Sequence, residues 1–262
     1  MSLQLRFLNF GLRWGVKPYL ARLGTPSKAR KEFEVAAPIL FPLPAGACHL
    51  VRPLADMSSH WYRCGKARDG KIILYLHGGA YMAGSGRTHG RLATLLARHS
   101  GIEVCVPNYR LLQQAAFPAA FDDAVAAWNA LLVKGYAPKD IALAGDSAGG
   151  GLAFALLSYL LQKGERPAGL VAFSPWNDLT LSGASLLKNQ RKDPLLPASR
   201  IEEARDYYVQ DAEPSDPRCS PLFAPFPDAP PILIHVGSTE ILLDDSYRIE
   251  AALRQSGADV TL

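Results

Sequence analysis

The segment Gly145-Asp146-Ser147-Ala148-Gly149-Gly150 stands between an apolar run at residues 141–144 and a helical pattern that continues to Leu161. That order fits a sharp turn from strand to helix, with a serine at its tip and the hydroxyl exposed above a helix N-terminus. A Gly-x-Ser-x-Gly match arises by chance about 0.1 times in a chain this long. The pentapeptide alone is therefore only suggestive. Its placement between strand and helix makes Ser147 the candidate nucleophile.

A strand that feeds a helix needs neighbours of the same kind, and the chain supplies them. Apolar runs at 72–76, 102–106, 170–173 and 232–236 read as buried strands. Residues 90–100, 119–134, 149–163 and 244–255 carry helical periodicity. Strands apolar on both faces and separated by helices imply a parallel sheet covered on both sides, with right-handed crossovers. Gly164 and Gly257 fall where helix C-caps are expected. Residues 32–70, richer in proline and turn residues, are expected to carry the first, antiparallel strands. Residues 177–230 interrupt the rhythm with a helical pattern at 199–209 and a proline-dense return at 214–231, which suits a lid or pocket wall. Residues 260–262 read as the opening of a further strand.

The 262 residues, 48% apolar and 20% charged, describe one sizeable globular domain. A net charge of +4 gives no case for nucleic acid as a partner, but the charge is uneven. Residues 1–31 hold Arg6, Arg13, Lys17, Arg22, Lys28, Arg30 and Lys31 and no carboxylate, so the remainder is net acidic. Ser2, Arg6, Asn9, Arg13 and Lys17 share one helical stripe, with Leu5, Phe7, Leu8, Leu12 and Trp14 around the rest. Pro18 is expected to limit this helix. Arg6 and Arg13 interrupt any signal-peptide core, and no later run reaches the length of a membrane span. A basic amphipathic helix can lie on a membrane surface. The reading preferred here is a cap segment, residues 1–31, that lays its apolar face over a domain of residues 32–262, with membrane association disfavoured. Cys48, Cys64, Cys105 and Cys219 show no metal-binding spacing, and Cys105 reads as a buried thiol. Scattered cysteines without a leader fit a reducing, cytoplasmic setting.

A serine hydroxyl needs a base to take its proton and donors for the oxyanion. The turn His77-Gly78-Gly79-Ala80-Tyr81 follows the run at 72–76. Backbone N–H groups of Gly78, Gly79 and Ala80, with that of Ala148, are the candidate donors, and small side chains let the backbone approach closely. These motifs are joined by Tyr109-Arg110-Leu111, Ser174-Pro175-Trp176-Asn177-Asp178 and the segments 216–222 and 237–245. In kind and order the set resembles the hormone-sensitive-lipase family of α/β-hydrolases, which includes many bacterial esterases. Ala80 replaces the third glycine of the family's oxyanion motif, which leaves a backbone donor in place.

The resemblance implies an α/β-hydrolase fold: a mostly parallel central sheet, helices on both faces, and a cap from the N-terminus and the 177–230 insertion. It implies a carboxylic ester hydrolase acting on short- to medium-chain acyl esters by a Ser-acid-His mechanism, without metal or cofactor. A small-molecule ester is the implied partner, and a homodimer is left open. The family's acid position falls on Glu240, with Asp244 as the alternative in the acidic turn that follows. His77 and Asp146 support the motifs. The family order is serine, acid, histidine, yet 22 residues follow Glu240 and none is histidine. The expectation is a chain truncated at its C-terminus, short of the last strand and helix and of the triad histidine. Of the six histidines, His89 alone merits a test as substitute base. The alternative is a catalytically dead fold that binds small molecules.

Overall fold

The computed structural model describes residues 3–22 and 24–262. Eight strands form one sheet: β1 (Ala47–Leu54), β2 (Met57–Cys64), β3 (Ile72–Leu76), β4 (Glu103–Pro107), β5 (Ile141–Asp146), β6 (Gly169–Phe173), β7 (Ile232–His235) and β8 (Val260–Thr261). Their order is β1-β2-β4-β3-β5-β6-β7-β8. β1 pairs antiparallel with β2, and β2 with β4; every later pairing is parallel. The expected antiparallel start and parallel centre are both present.

Alternation along β3 shows how the sheet is covered. Ile72, Leu74 and Leu76 join the larger core with the helices α5 (Ala119–Val133) and α6 (Ser147–Gln162). Ile73 and Tyr75 point the other way, to Ala93 and Ala97 of α4 (Gly90–Ser100). All five residues of β3 are buried, as are all five of β4. Burial on both faces is why these strands read as unbroken apolar runs. The one charge inside β4, Glu103, is held by Arg63 through two hydrogen bonds of 2.7 and 2.9 Å. Gly164 and Gly257 adopt φ of +74° and +82° directly after α6 and after α9 (Leu243–Gln255), as their cap positions require.

The chain leaves β3 for β4 on one side and returns to β5 on the other. Strand order therefore reverses between β3 and β5, and a crevice opens beyond their C-terminal ends. Both glycine-rich turns fall there.

The N-terminal region departs from the sequence reading in three ways. α3 (Pro26–Leu40) runs across residue 31, so the boundary expected there lies inside a helix. Thr25 caps it by accepting from the Lys28 N–H, and Pro26 occupies the first turn, where a missing N–H costs nothing. Pro18 does not end the preceding helix either. A π-helical turn over Leu12–Val16 separates α1 (Leu3–Gly11) from α2 (Lys17–Arg22), and the wider turn admits a residue without an N–H. Finally, the apolar side chains of the arm are not laid over the body. Leu3, Phe7, Phe10 and Trp14 remain exposed, because the arm is held by its cations. Arg13 donates to the Lys192 carbonyl, and Lys17 to those of Gln190 and Asp193, each at 2.7 Å. Ser2 lies outside the described residues. Among those described, no helix is long and apolar enough to cross a membrane.

Candidate active site

β5 runs directly into α6, and the joint is Ser147, whose φ of +51° lies in the left-handed region that non-glycine residues rarely enter. Such a residue persists only where its surroundings over-determine it, and here they do. A Cβ on Gly149 would stand 2.2 Å from the Leu76 carbonyl oxygen and 2.3 Å from that of His77, so only glycine lets α6 start this close to β3. The Ser147 carbonyl accepts the Trp176 N–H at 2.9 Å, and the Ala148 carbonyl accepts the Tyr81 hydroxyl at 3.0 Å. Tyr81 is itself fixed by a parallel stack on Tyr208 at 3.7 Å. The backbone around Ser147 is thus pinned on both sides, while its half-buried hydroxyl makes no hydrogen bond to any described residue.

Leu76 lies opposite Gly145 in the parallel register, which sets the turn after β3 beside this joint. Gly79, Ala80 and Tyr81 follow one another at φ of +120°, +52° and +58°. Gly79 is obligatory, since a Cβ there would stand 2.2 Å from the Ala83 carbonyl oxygen. The four N–H groups expected to serve as donors divide. That of Gly78 is already given to Asp146 Oδ1 at 2.9 Å, so Gly78 braces the turn rather than offering a free donor. Those of Gly79, Ala80 and Ala148 have no partner among the described residues. The correction follows from Asp146: a carboxylate beside the nucleophile position captures the nearest amide.

Asp146 also accepts the Tyr75 hydroxyl at 2.6 Å, and its Oδ1 lies 3.5 Å from His89 Nε2. Burial opposes its charge, but His89 and the bonds from Tyr75 and Gly78 outweigh that and lower its pKa. For His89 burial works against protonation, yet Asp146 prevails and its pKa is raised. His77 is different. Burial, with His89 nearby, pushes it down to about 3, so it is neutral. Its Nδ1 lies 2.9 Å from the Gly78 carbonyl and so carries the proton, leaving Nε2 buried with no partner among the described residues. Its ring stacks on Tyr109 at 4.3 Å. His77 is part of the wall of this turn.

The candidate acids lie beyond β7, at the same edge of the sheet. Glu240 Oε1 accepts the Gly237 N–H at 2.7 Å, and Oε2 has no described partner. Its loop is braced by the insertion: Asn189 donates to the Glu240 carbonyl at 2.9 Å, and Asp193 accepts the Ile241 N–H at 2.9 Å. Asp244 is occupied differently. It accepts the N–H of Ser185, the first residue of α7 (Ser185–Lys188), at 2.8 Å, while its own N–H donates to Ser185 Oγ at 3.0 Å. Asp245 accepts the N–H groups of Asn177 and Asp178, and burial pushes it up to about 7. Each accepts through Oδ2 and leaves Oδ1 without a described hydrogen-bond partner, as Glu240 leaves Oε2.

None of the six histidines hydrogen-bonds Ser147. His49 and His60 form a stacked pair with ring nitrogens 2.9 Å apart, and His89 is engaged by Asp146, Ser85 and Thr88. His235 ends β7, edge-on to Phe173. Tyr75, His89, Asn189 and Asp193 carry no local sequence signal for these roles; only the fold brings them to the turns. A separate surface cleft of about 300 Å³, lined by Arg52, Trp61, Arg63, Glu103, Lys134 and Tyr136, opens beside the first residue of β4 and includes none of these groups.

Comparison with known proteins agrees with this fold. Residues 73–262 match the family model described as the α/β-hydrolase fold. An esterase of Acinetobacter venetianus is 38% identical over 97% of this chain and 87% of its own length. An acetyl-hydrolase of Streptomyces hygroscopicus is 40% identical over 78% of this chain and 68% of its own. The crystal structure of an esterase from the bacterial hormone-sensitive-lipase family superposes with a TM-score of 0.92 at 35% identity. That match covers all of this chain and 87% of the other.

Proposed function

The chain belongs to the hormone-sensitive-lipase family of α/β-hydrolases, and from that premise we propose that it hydrolyses short- to medium-chain carboxylic esters through an acyl-enzyme on Ser147. The observation that carries this reading is a serine held at φ +51° beside three unengaged backbone N–H groups. Ser147 Oγ attacks the ester carbonyl carbon. The N–H groups of Gly79, Ala80 and Ala148 receive the oxyanion, and the alkoxide leaves as the acyl–oxygen bond breaks. Water then attacks the acyl-enzyme and releases the acid. Donors fixed before the reaction need no reorganisation as charge develops; removing one such donor typically slows turnover about 100- to 1,000-fold. Asp146 acts through Gly78 to hold the donor turn. Glu240, with one oxygen unengaged, orients the base. The base is an imidazole that takes the serine proton during attack and returns it to the leaving alkoxide. An acetyl-hydrolase among the relatives supports the short acyl group.

The test is chemical rescue. Added imidazole should raise hydrolysis of p-nitrophenyl acetate and butyrate well above its own background in the parent and not in Ser147→Ala. Equal rates in the two proteins would remove Ser147 from the reaction. A second reading, a receptor that binds small esters or acids without turnover, is favoured by the hydroxyl that no histidine touches. Saturable binding of an ester that imidazole never converts to product would favour it.

A further inference from the structure

Leu3, Phe7, Phe10 and Trp14 recur at spacings of four, three and four, which places them on one side of α1 and the turn that follows it. They are 68, 70, 66 and 70% exposed. A continuous apolar stripe left in water on a protein with a large core of its own marks a contact surface. The charges within the segment itself are all cationic, although the Tyr19 hydroxyl donates to Glu32 of α3. Arg6 and Arg22 are exposed and have no partner among the described residues, and Arg13 and Lys17 donate to backbone carbonyls, with the Asp193 carboxylate near Lys17. No carboxylate occurs before Glu32.

We propose that residues 3–22 dock this protein on an anionic lipid surface, with the stripe in the acyl boundary and the cations among the headgroups. Charge selects this occupant over a second copy of the chain. Two arms brought face to face would set cation against cation, whereas an anionic leaflet offers the missing opposite charge. The mounting of the arm also makes the contact directional. Its polar side grips residues 190–193, the same stretch whose Asp193 holds the Ile241 N–H beside Glu240. Docking would therefore turn the edge of the sheet that carries Ser147 toward the bilayer. The reading of Ser147 as a nucleophile is not needed for the docking itself.

Trp14 provides its own reporter. The other three tryptophans, Trp61, Trp128 and Trp176, are 4, 0 and 1% exposed, so the emission difference between the parent and Trp14→Phe belongs to the arm. With vesicles of mixed phosphatidylglycerol and phosphatidylcholine, this difference spectrum should shift to the blue and be quenched by acyl-brominated lipid. Each basic residue near an anionic surface strengthens partitioning about fivefold. Arg6→Glu with Arg22→Glu should therefore weaken it at least 25-fold, and Phe7→Ser with Phe10→Ser should abolish the quenching. Both pairs are exposed and leave the fold intact, which far-UV circular dichroism checks. No spectral change at millimolar lipid would overturn the proposal. So would equal partitioning into neutral and anionic vesicles, or a shift that tracks protein concentration without lipid, which would assign the stripe to a second copy. None of these readouts involves turnover, so they stand apart from the rescue experiment.

Discussion

Gly149→Ala probes the step on which the whole site depends, the start of α6 against β3. An added Cβ would sit 2.2 Å from the Leu76 oxygen and 2.3 Å from the His77 oxygen. Carbon and oxygen need about 3.3 Å, so roughly 1 Å of separation must be found against two carbonyls at once. Neither carbonyl can swing away, because the His77 oxygen accepts the Tyr109 hydroxyl at 2.5 Å and Leu76 lies in the sheet. The helix must retreat or the end of β3 must bend. Overpacking of this kind costs about 1–3 kcal/mol, and here the upper figure applies because backbone rather than side chain is displaced. Gly164→Ala is the reference. At φ +74° with nothing within 4 Å, it should cost only about 1 kcal/mol, from conformation alone. Urea unfolding followed by far-UV circular dichroism compares the two without any appeal to activity. If Gly149→Ala were no more destabilising than Gly164→Ala, close backbone contact would not be what the glycines of this turn provide.

Two further expectations concern buried charge. Asp245 is raised to about 7, chiefly by burial and then by the Asp178 carboxylate, against the N–H bonds from Asn177 and Asp178. Between the ordinary carboxylate pKa and 7 the folded chain holds a proton that the unfolded chain has lost, so stability falls as pH rises through that window. Asp245→Asn removes this slope: its gain over the parent should be slight near pH 4 and grow to at most about 4 kcal/mol at pH 8, by urea unfolding at each pH. A gain that does not change with pH would refute it. The His89–Asp146 pair has the same sense on its histidine side, although there an ion pair rather than burial holds the proton. With its folded pKa raised, protonated His89 adds stability below its ordinary value of about 6.5 and loses it as pH rises through the folded value. The stability difference between the parent and His89→Gln should therefore shrink from pH 6 to pH 9, and a constant difference would show that the pair carries no charge in the fold.

What the chain reveals of itself depends on the range of the forces involved. β3 through β7 and their helices are legible because burial on two faces writes a continuous apolar run, and a helix on that sheet writes a 3.6-residue period. The elbow is legible because close backbone approach demands glycine at fixed offsets. α3 is not, since Pro38 inside it and the prolines and turn residues after it imitate a loop, while its stability is supplied by a capped start and by packing of Ala37 and Phe33, the latter against His89. The commitment of the Gly78 N–H to Asp146 is equally hidden. No spacing rule records that a residue 68 positions away captures one donor of the turn. The open face of the arm is hidden for a related reason, because amphipathicity marks a surface that seeks apolar contact without saying where that contact lies.

The two halves of the proposed machinery are also held by different means. Ser147 and its donors rest on β3, β5 and α6, where buried apolar contacts and backbone collisions leave no freedom to shift. Glu240 rests on a loop whose order comes from the insertion. Asn189 holds its carbonyl, and the buried Asp193 carboxylate gathers the N–H groups of Leu195, Leu196 and Ile241. The Asp193 carbonyl, in turn, accepts Lys17 from the arm. Displacement of the arm is therefore felt at Asp193, and through it at the loop bearing the acid, while the serine stays fixed to the sheet. Changes in residues 177–230 can retune the position of the acid and the entrance above it without disturbing the nucleophile, whereas no change at Gly145 or Gly149 can leave the nucleophile where it is.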